Sequence, residues 1–128
     1  MNSQNHNNGA SKELFSGRFI DWSRYIRSLW QEHIDDPLSV AEVALVIYLF
    51  DRANHNRWAM PFVCSTAAAC NMLQISKPTF IKARNGLSRR GMISFTEGTG
   101  TNELPTYSVA LPDSVMRRPR RGPNLATQ

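Results

Sequence analysis

The protein has 128 residues, a hydrophobic fraction of 41% and a formal net charge of +5 at pH 7. A chain of this length builds one hydrophobic core with flanking segments, and is too short for two comfortable cores. Its apolar runs stay well below the roughly 20 residues that a membrane helix needs, and the N-terminus has no signal-peptide core. Size and composition therefore favour a small cytoplasmic protein and argue against a membrane-embedded one.

Positive charge is concentrated in the second half of the chain. Residues 1–60 carry six Lys and Arg against seven Asp and Glu, whereas residues 61–128 carry nine against three. Binding of a polyanion by the second half is the simplest reason for such a split. The charge distribution thus points to nucleic acid as the partner and to a nucleoid-associated location in the cytoplasm.

Both ends have compositions that favour disorder, because they offer too little apolar surface to offset the entropy lost on ordering. The first segment is rich in Asn, Ser, Gln and Gly, and the last in Arg, Pro and Gly. We therefore predict a disordered tail over residues 1–17, one domain over 18–112 and a basic flexible tail over 113–128.

The sequence gives little support to a metal site, a disulfide framework or catalysis. Cys64 and Cys70 lie among apolar residues, as expected of small buried hydrophobes in a reducing compartment. The three histidines and two cysteines lack zinc-site spacing. No Ser/His/Asp set, carboxylate pair or phosphate loop stands at workable spacing. The sequence therefore predicts a non-enzymatic protein without a metal or other cofactor.

The first half of the chain predicts two helices. From Phe19 to His33, apolar side chains recur at spacings of three and four, and residues 35–37 then break the pattern. A second helix follows Ser39, because Glu42 three positions later completes a capping box. This helix runs to about Ala53 and is apolar nearly all round, so it should be the most buried element.

The second half predicts short elements in a recognisable order. A short edge strand lies within Trp58–Cys64, and two helices follow over 66–73 and 76–90 with a tight turn between them. Gly91 ends the last helix, and the alternating runs 92–96 and 106–111 form a hairpin. This order is typical of a winged helix-turn-helix, a mainly α fold with a small antiparallel β-hairpin (α+β).

The helical period separates two sides of the last helix. Phe80, Ala83 and Leu87 fall on the side that packs inward. Between Ser76 and Arg90 there are five cations and no acid, whereas ordinary solvated helix surfaces mix both signs. The helix is therefore expected to enter the major groove of double-stranded DNA. Its opposite side carries Lys77, Ile81, Lys82, Asn85 and Arg89, with Thr79 beside the N-terminal end and Arg84 at the boundary.

The chemistry of these side chains suggests a role for each. Asn85 suits an adenine edge and Lys82 a guanine edge, so both are candidate base contacts. Other groups suit phosphates, which position a protein without specifying sequence. The expected phosphate contacts are Lys77, Thr79, Arg89 and the backbone N–H groups near Ser65 and Ser76.

Three further features each allow two interpretations. The wing tip, including Thr101, has hydroxyls and amides for the DNA backbone, or simply connects two strands. The arginines of the tail either enter a minor groove and add affinity, or only solubilise the chain. Trp22 and Trp30 either cap the core or mark a homodimer interface on the first helix. The tail arginines are Arg117, Arg118, Arg120 and Arg121.

The stretch from Leu38 to Val109 also resembles a known family. Its more distinctive segments are Asn56-Arg57-Trp58 and Ala83-Arg84-Asn85, which accompany the helix-turn-helix core and the run 91–95. Together they resemble the winged-helix domains of phage replisome-organiser and DnaD-like primosomal proteins. The resemblance implies binding or remodelling of origin DNA, self-association, and help in bringing in a helicase or its loader.

Two departures from this family bear on function. Gln74 holds the turn position that is often glycine, and the sequence ends soon after the hairpin, where larger members continue into a helical domain. We therefore expect a stand-alone accessory of replication initiation or a regulator built on the same domain. A small transcriptional regulator is the alternative, and a protein-binding winged helix that does not use DNA is disfavoured by the cations of the last helix.

Overall fold

The computed structural model describes residues 19–98, 103–111 and 116–117. These residues form four helices and a three-stranded antiparallel sheet. The fold is therefore α+β, mainly helical with a small antiparallel sheet, as predicted. The helices are α1 (Trp22–Asp35), α2 (Val40–His55), α3 (Thr66–Leu73) and α4 (Lys77–Arg89). The strands are β1 (Phe19–Ile20), β2 (Phe62–Val63), β3 (Ile93–Thr96), β4 (Thr106–Val109) and β5 (Met116–Arg117).

The chain divides into two units, one spanning residues 33–110 and the other comprising the segments before 33 and after 110. The predicted N-terminal tail, and the predicted C-terminal tail apart from residues 116–117, lie outside the described residues. The predicted domain bounds therefore stay predictions. No helix within the described residues is long and apolar enough to cross a membrane.

Helix α1 begins later than the apolar pattern predicts. Residues 19–20 form β1, which pairs antiparallel with β5, and Asp21 then caps the helix. The Oδ1 atom of Asp21 accepts the Arg24 N–H at 3.2 Å, so a carboxylate at the cap fixes the start at Trp22. The sequence prediction missed this cap because Phe19 fits the helical period equally well.

The tryptophans of α1 lie partly at the surface. Trp22 and Trp30, for which the sequence allows core packing or a homodimer interface, are 38% and 49% exposed. Tyr25 and Leu29 of the same helix are buried. Burial raises the pKa of Tyr25 to about 12.

Helix α2 supplies a large share of the core of the 33–110 unit and packs on α3, α4 and β4. The capping box at its start is present as predicted: Ser39 Oγ accepts the Glu42 N–H at 3.1 Å, and Glu42 Oε1 accepts the Ser39 N–H at 2.8 Å. Its buried side chains are Leu45, Val46, Leu49, Phe50 and Ala53.

The sheet has the strand order β2–β4–β3, so β2 lies at an edge as predicted. Tyr107 is fully buried at the centre of β4, opposite Phe62 of β2 and Phe95 of β3. The ring centroids of these two phenylalanines lie 6.3 and 6.0 Å from that of Tyr107. Stacking across three strands fixes the register of the hairpin. Cys64, just after β2, is buried as predicted, and burial raises the pKa of its thiol.

Two positive-φ residues set the geometry around α4. Gln74 lies in the left-handed region, with φ 59° and ψ 46°, and lets the chain reverse tightly between α3 and α4. Gly91 has φ 78° and ends α4, as the sequence predicts. Both φ values favour glycine. A non-glycine residue therefore holds the turn between α3 and α4 in a conformation that side chains seldom adopt.

Gly86 lies where α4 comes close to the Glu42 carboxylate of α2. A Cβ atom at this position would collide with the Glu42 carboxylate, which is held by the Ser39 N–H and lies near Arg90. Alanine would favour the helix by about 1 kcal/mol by propensity alone. The methyl group added by Gly86→Ala would displace the Glu42 carboxylate from the Ser39 N–H and crowd the contact between α2 and α4. This costs more stability than the propensity gains, about 2 kcal/mol.

We therefore expect Gly86→Ala to lower the free energy of unfolding by about 1 kcal/mol, measured by urea denaturation. The same substitution in a Glu42→Ala background is the control. There the collision is absent, so Gly86→Ala should stabilise relative to Glu42→Ala alone. Stabilisation of equal size in both backgrounds would contradict the packing role of Gly86.

Candidate nucleic-acid interface

Helix α4 is exposed along the side that the sequence assigns to DNA. Lys77, Thr79, Lys82, Asn85 and Arg89 are exposed, and Ile81 is half-buried. The inward side is buried as predicted, with Phe80, Ala83 and Leu87 at most 3% exposed. The amphipathic division of α4 is therefore confirmed.

The two serines that precede α3 and α4 cap these helices as predicted. Ser65 Oγ accepts the Ala68 N–H at 3.1 Å. Ser76 Oγ accepts the Thr79 N–H at 3.3 Å and donates to Thr79 Oγ1 at 2.9 Å. These hydroxyls are engaged within their own helix starts, so anion contacts at Ser65 and Ser76 would come chiefly from neighbouring backbone N–H groups.

Arg84 does not lie at the edge of the exposed side, as predicted, but inside the protein. Its side chain is only 5% exposed, and its guanidinium carbon lies 4.1 Å from the centroid of the Phe95 ring. Nη1 donates to the Tyr107 hydroxyl at 3.2 Å and Nη2 to Glu97 Oε2 at 2.8 Å. Arg84 therefore ties α4 to the hairpin and is removed from the candidate DNA contacts.

The surroundings of Arg84 explain why a cation can lie in the interior. Phe95 and Phe80 flank the guanidinium, and Glu97 supplies the opposite charge. Burial raises the pKa of the Tyr107 hydroxyl and Arg84 opposes the shift, so Tyr107 stays a neutral partner. Among the described residues, only the Nε atom of Arg84 is a buried side-chain polar atom without a hydrogen-bond partner.

Arg90 is likewise engaged within the chain. Its guanidinium donates to the Asp36 carbonyl at 2.7 Å and to the Pro37 carbonyl at 2.6 Å, and lies 3.5 Å from the Asp36 carboxylate. Arg90 thus fastens the end of α4 to the loop before α2. Of the five cations between Ser76 and Arg90, three remain on the outer side: Lys77, Lys82 and Arg89. None of these three forms an ion pair within the part of the chain that the structure describes.

A cleft of about 280 Å³ adjoins the N-terminal half of α4. Its lining includes cations of α4 and carboxylates of the hairpin. The residues that line it are Thr66, Lys77, Ile81, Arg84, Glu97, Gly98, Glu103 and Pro105. The surface beside α4 is therefore of mixed charge, whereas the cationic part of the helix extends through Lys82 and Arg89.

Several predicted contacts cannot be placed on this surface. Thr101, Arg118, Arg120 and Arg121 lie outside the described residues, and Arg117 is described only as a residue of β5. Conversely, sequence analysis overlooked Glu97. Its role depends on a pairing with Arg84 thirteen positions away. An isolated acid after a strand carries no local signal of such a contact.

No family model, curated protein or solved structure matches this chain.

Because Arg84 is buried and Glu97 is exposed, removing each side chain should lower the free energy of unfolding by a different amount. Glu97→Ala leaves a buried guanidinium without its counter-charge and should destabilise by about 2 kcal/mol, a value reduced because Glu97 is 68% exposed. Arg84→Met leaves a carboxylate that water can solvate, and its thioether chain fills much of the space, so about 1 kcal/mol is expected.

Urea denaturation of both variants measures this difference, because urea carries no charge and does not screen the ion pair. Glu103→Ala is the control for loss of a carboxylate from the same cleft. Equal costs for Glu97→Ala and Arg84→Met would contradict the unequal burial. A negligible cost for both would mean that the pair does not hold α4 to the hairpin.

Proposed function

We propose that this protein is a winged-helix protein that binds double-stranded DNA with α4 in the major groove. The observation that carries the proposal is the outer side of α4, where Lys77, Lys82, Asn85 and Arg89 are all exposed. Cations that are not paired within the described chain can release counterions from DNA phosphates. An exposed amide between them can read a base edge.

The arrangement around α4 supports the winged-helix interpretation. Helix α3, a tight turn at Gln74 and α4 follow one another, and the hairpin of β3 and β4 begins just after Gly91. In helix-turn-helix proteins the first helix braces the second across the DNA backbone. The start of α3 offers backbone N–H groups suited to that role.

For its biological role, we propose a part in initiation of DNA replication, as an origin-binding or primosome accessory protein. The support is the resemblance of residues 38–109 to phage replisome-organiser and DnaD-like domains. A helicase or its loader is the partner expected from that resemblance. Regulation of transcription is the alternative, and it would use the same contacts with DNA.

Variants of α4 test the DNA contacts directly. Lys77→Ala should weaken binding to all duplexes alike and reduce the slope of log K against log salt by about 0.9, because one phosphate contact is lost. Lys82→Ala and Asn85→Ala should instead change the preferred sequence, with discrimination falling by about 1–3 kcal/mol at one base pair. Gel shifts over a salt series and several duplexes measure both effects.

The control is Arg52→Ala, which removes an exposed cation from α2 and should leave the salt slope unchanged. Unchanged affinity in all three α4 variants would exclude α4 as the DNA-binding surface. A loss of affinity in Arg52→Ala equal to that in Lys77→Ala would indicate attraction by overall charge alone.

Genome-wide footprinting distinguishes the two biological roles. Binding confined to a cluster of repeats at a replication origin is the result expected for replication initiation. Binding spread over promoters would contradict that role and favour transcriptional regulation. Both outcomes leave the contacts of α4 with DNA intact.

We also propose that two copies associate through α1, because Trp22 and Trp30 are exposed on that helix. Such a dimer would carry two copies of α4, so the DNA site expected for it is an inverted repeat. Trp30→Ser should then shift sedimentation from dimer to monomer, while Val40→Ser, which changes another exposed apolar residue, should not. A wild-type protein that sediments as a monomer at high concentration would refute this interface.

A further inference from the structure

A carboxylate occupies the surface position that the sequence assigns to a cation. Arg84 is 5% exposed, whereas Glu97, which accepts its Nη2 hydrogen bond at 2.8 Å, is 68% exposed. The charge of Arg84 therefore lies inside the protein and not at its surface. The group that α4 and the hairpin present to solvent at this point is the side chain of Glu97.

Glu97 lies beside the residues proposed to contact DNA. It lines the same cleft as Lys77 and Ile81, which belong to the outer side of α4. A helix that enters the major groove brings its neighbouring side chains within reach of base edges and phosphates. A carboxylate is repelled by phosphates but accepts hydrogen bonds from amino groups of bases.

The Glu97 carboxylate is held in position by contacts with the protein interior. Its Oε2 atom is bound by Arg84, and the guanidinium is held in turn by the Tyr107 hydroxyl and against the Phe95 ring. Oε1 accepts no hydrogen bond within the described residues. Glu97 is thus an oriented acceptor with unused capacity, since an ionised carboxylate offers about four lone-pair sites.

We propose that Glu97 is a specificity-determining residue that accepts a hydrogen bond from the N4 amino group of a cytosine in the major groove. The proposal rests on the DNA-binding function proposed above. Cytosine presents an amino donor there without an acceptor of its own beside it, whereas guanine presents the acceptors O6 and N7 and adenine presents its amino group next to the acceptor N7. A fixed carboxylate facing an acceptor would be desolvated without a partner, so the wrong base is penalised.

Selection of bound sequences from random duplex DNA tests this assignment. Wild-type protein should enrich cytosine at one fixed position of its site. Glu97→Gln keeps a hydrogen-bond acceptor for Arg84 but loses the charge, and its cytosine preference at that position should fall about tenfold with the other positions unchanged. Glu103→Gln, the control, removes the same charge from the same cleft and should retain the preference.

A second variant guards against loss of folding in Glu97→Gln. Glu97→Asp keeps the charge near Arg84 but is one methylene shorter, so it should also lose the cytosine preference. Circular dichroism melting identifies which of the two variants is folded, and the folded one decides. A folded variant that selects cytosine as strongly as wild type overturns the assignment, and so does equal loss in Glu103→Gln.

The two levels of the proposal fail in different ways. Wild-type protein that enriches no duplex sequence and binds no duplex in gel shifts refutes the proposed DNA-binding function, and the role of Glu97 is refuted with it. If wild-type protein binds a defined site and Glu97→Gln loses no cytosine preference there, only the role of Glu97 is refuted.

Discussion

The contact between Arg84 and the hairpin determines how α4 is presented. The guanidinium joins three structural features at once: the Glu97 carboxylate, the Tyr107 hydroxyl and the Phe95 ring. Because a buried charge is costly unless it is compensated, these partners restrict where the hairpin can lie relative to α4. The outer side of α4 and the cleft beside it depend on that restriction.

The cations of α4 and its C-terminal end therefore fall into two groups, one paired within the protein and one exposed. Arg84 and Arg90 hold the helix to the hairpin and to the loop before α2, and they do so at opposite ends of its second half. Lys77, Lys82 and Arg89 stay outside. A count of positive charges in the sequence therefore overstates the electrostatic attraction that α4 can exert. For the DNA binding proposed above, we expect modest affinity per subunit with marked salt sensitivity.

The predictable parts of the fold are those controlled by local signals. Ser39 with Glu42, Ser65, Ser76 and Gly91 each mark a helix end through their own backbone and near neighbours, so these ends could be read from the sequence. The inward side of α4 followed from its period. The place of Arg84 could not be predicted, because period alone puts it at a boundary and only its long-range partner Glu97 decides the side.

The same distinction applies to α1. Periodicity identified a helix, but Phe19 was assigned to it although it pairs with β5, a contact of long sequence separation. Trp22 and Trp30 share the apolar pattern with Tyr25 and Leu29, yet only the latter pair is buried. Helical period alone therefore does not tell which apolar side chains of α1 are buried.

The most direct test of the proposed function is an NMR titration of the protein with duplex DNA in moderate salt. Binding through α4 predicts amide shift changes concentrated over residues 76–90 and at the start of α3, with α2 residues near Arg52 unchanged. Shift changes absent from α4, or spread evenly over all exposed residues, would contradict it.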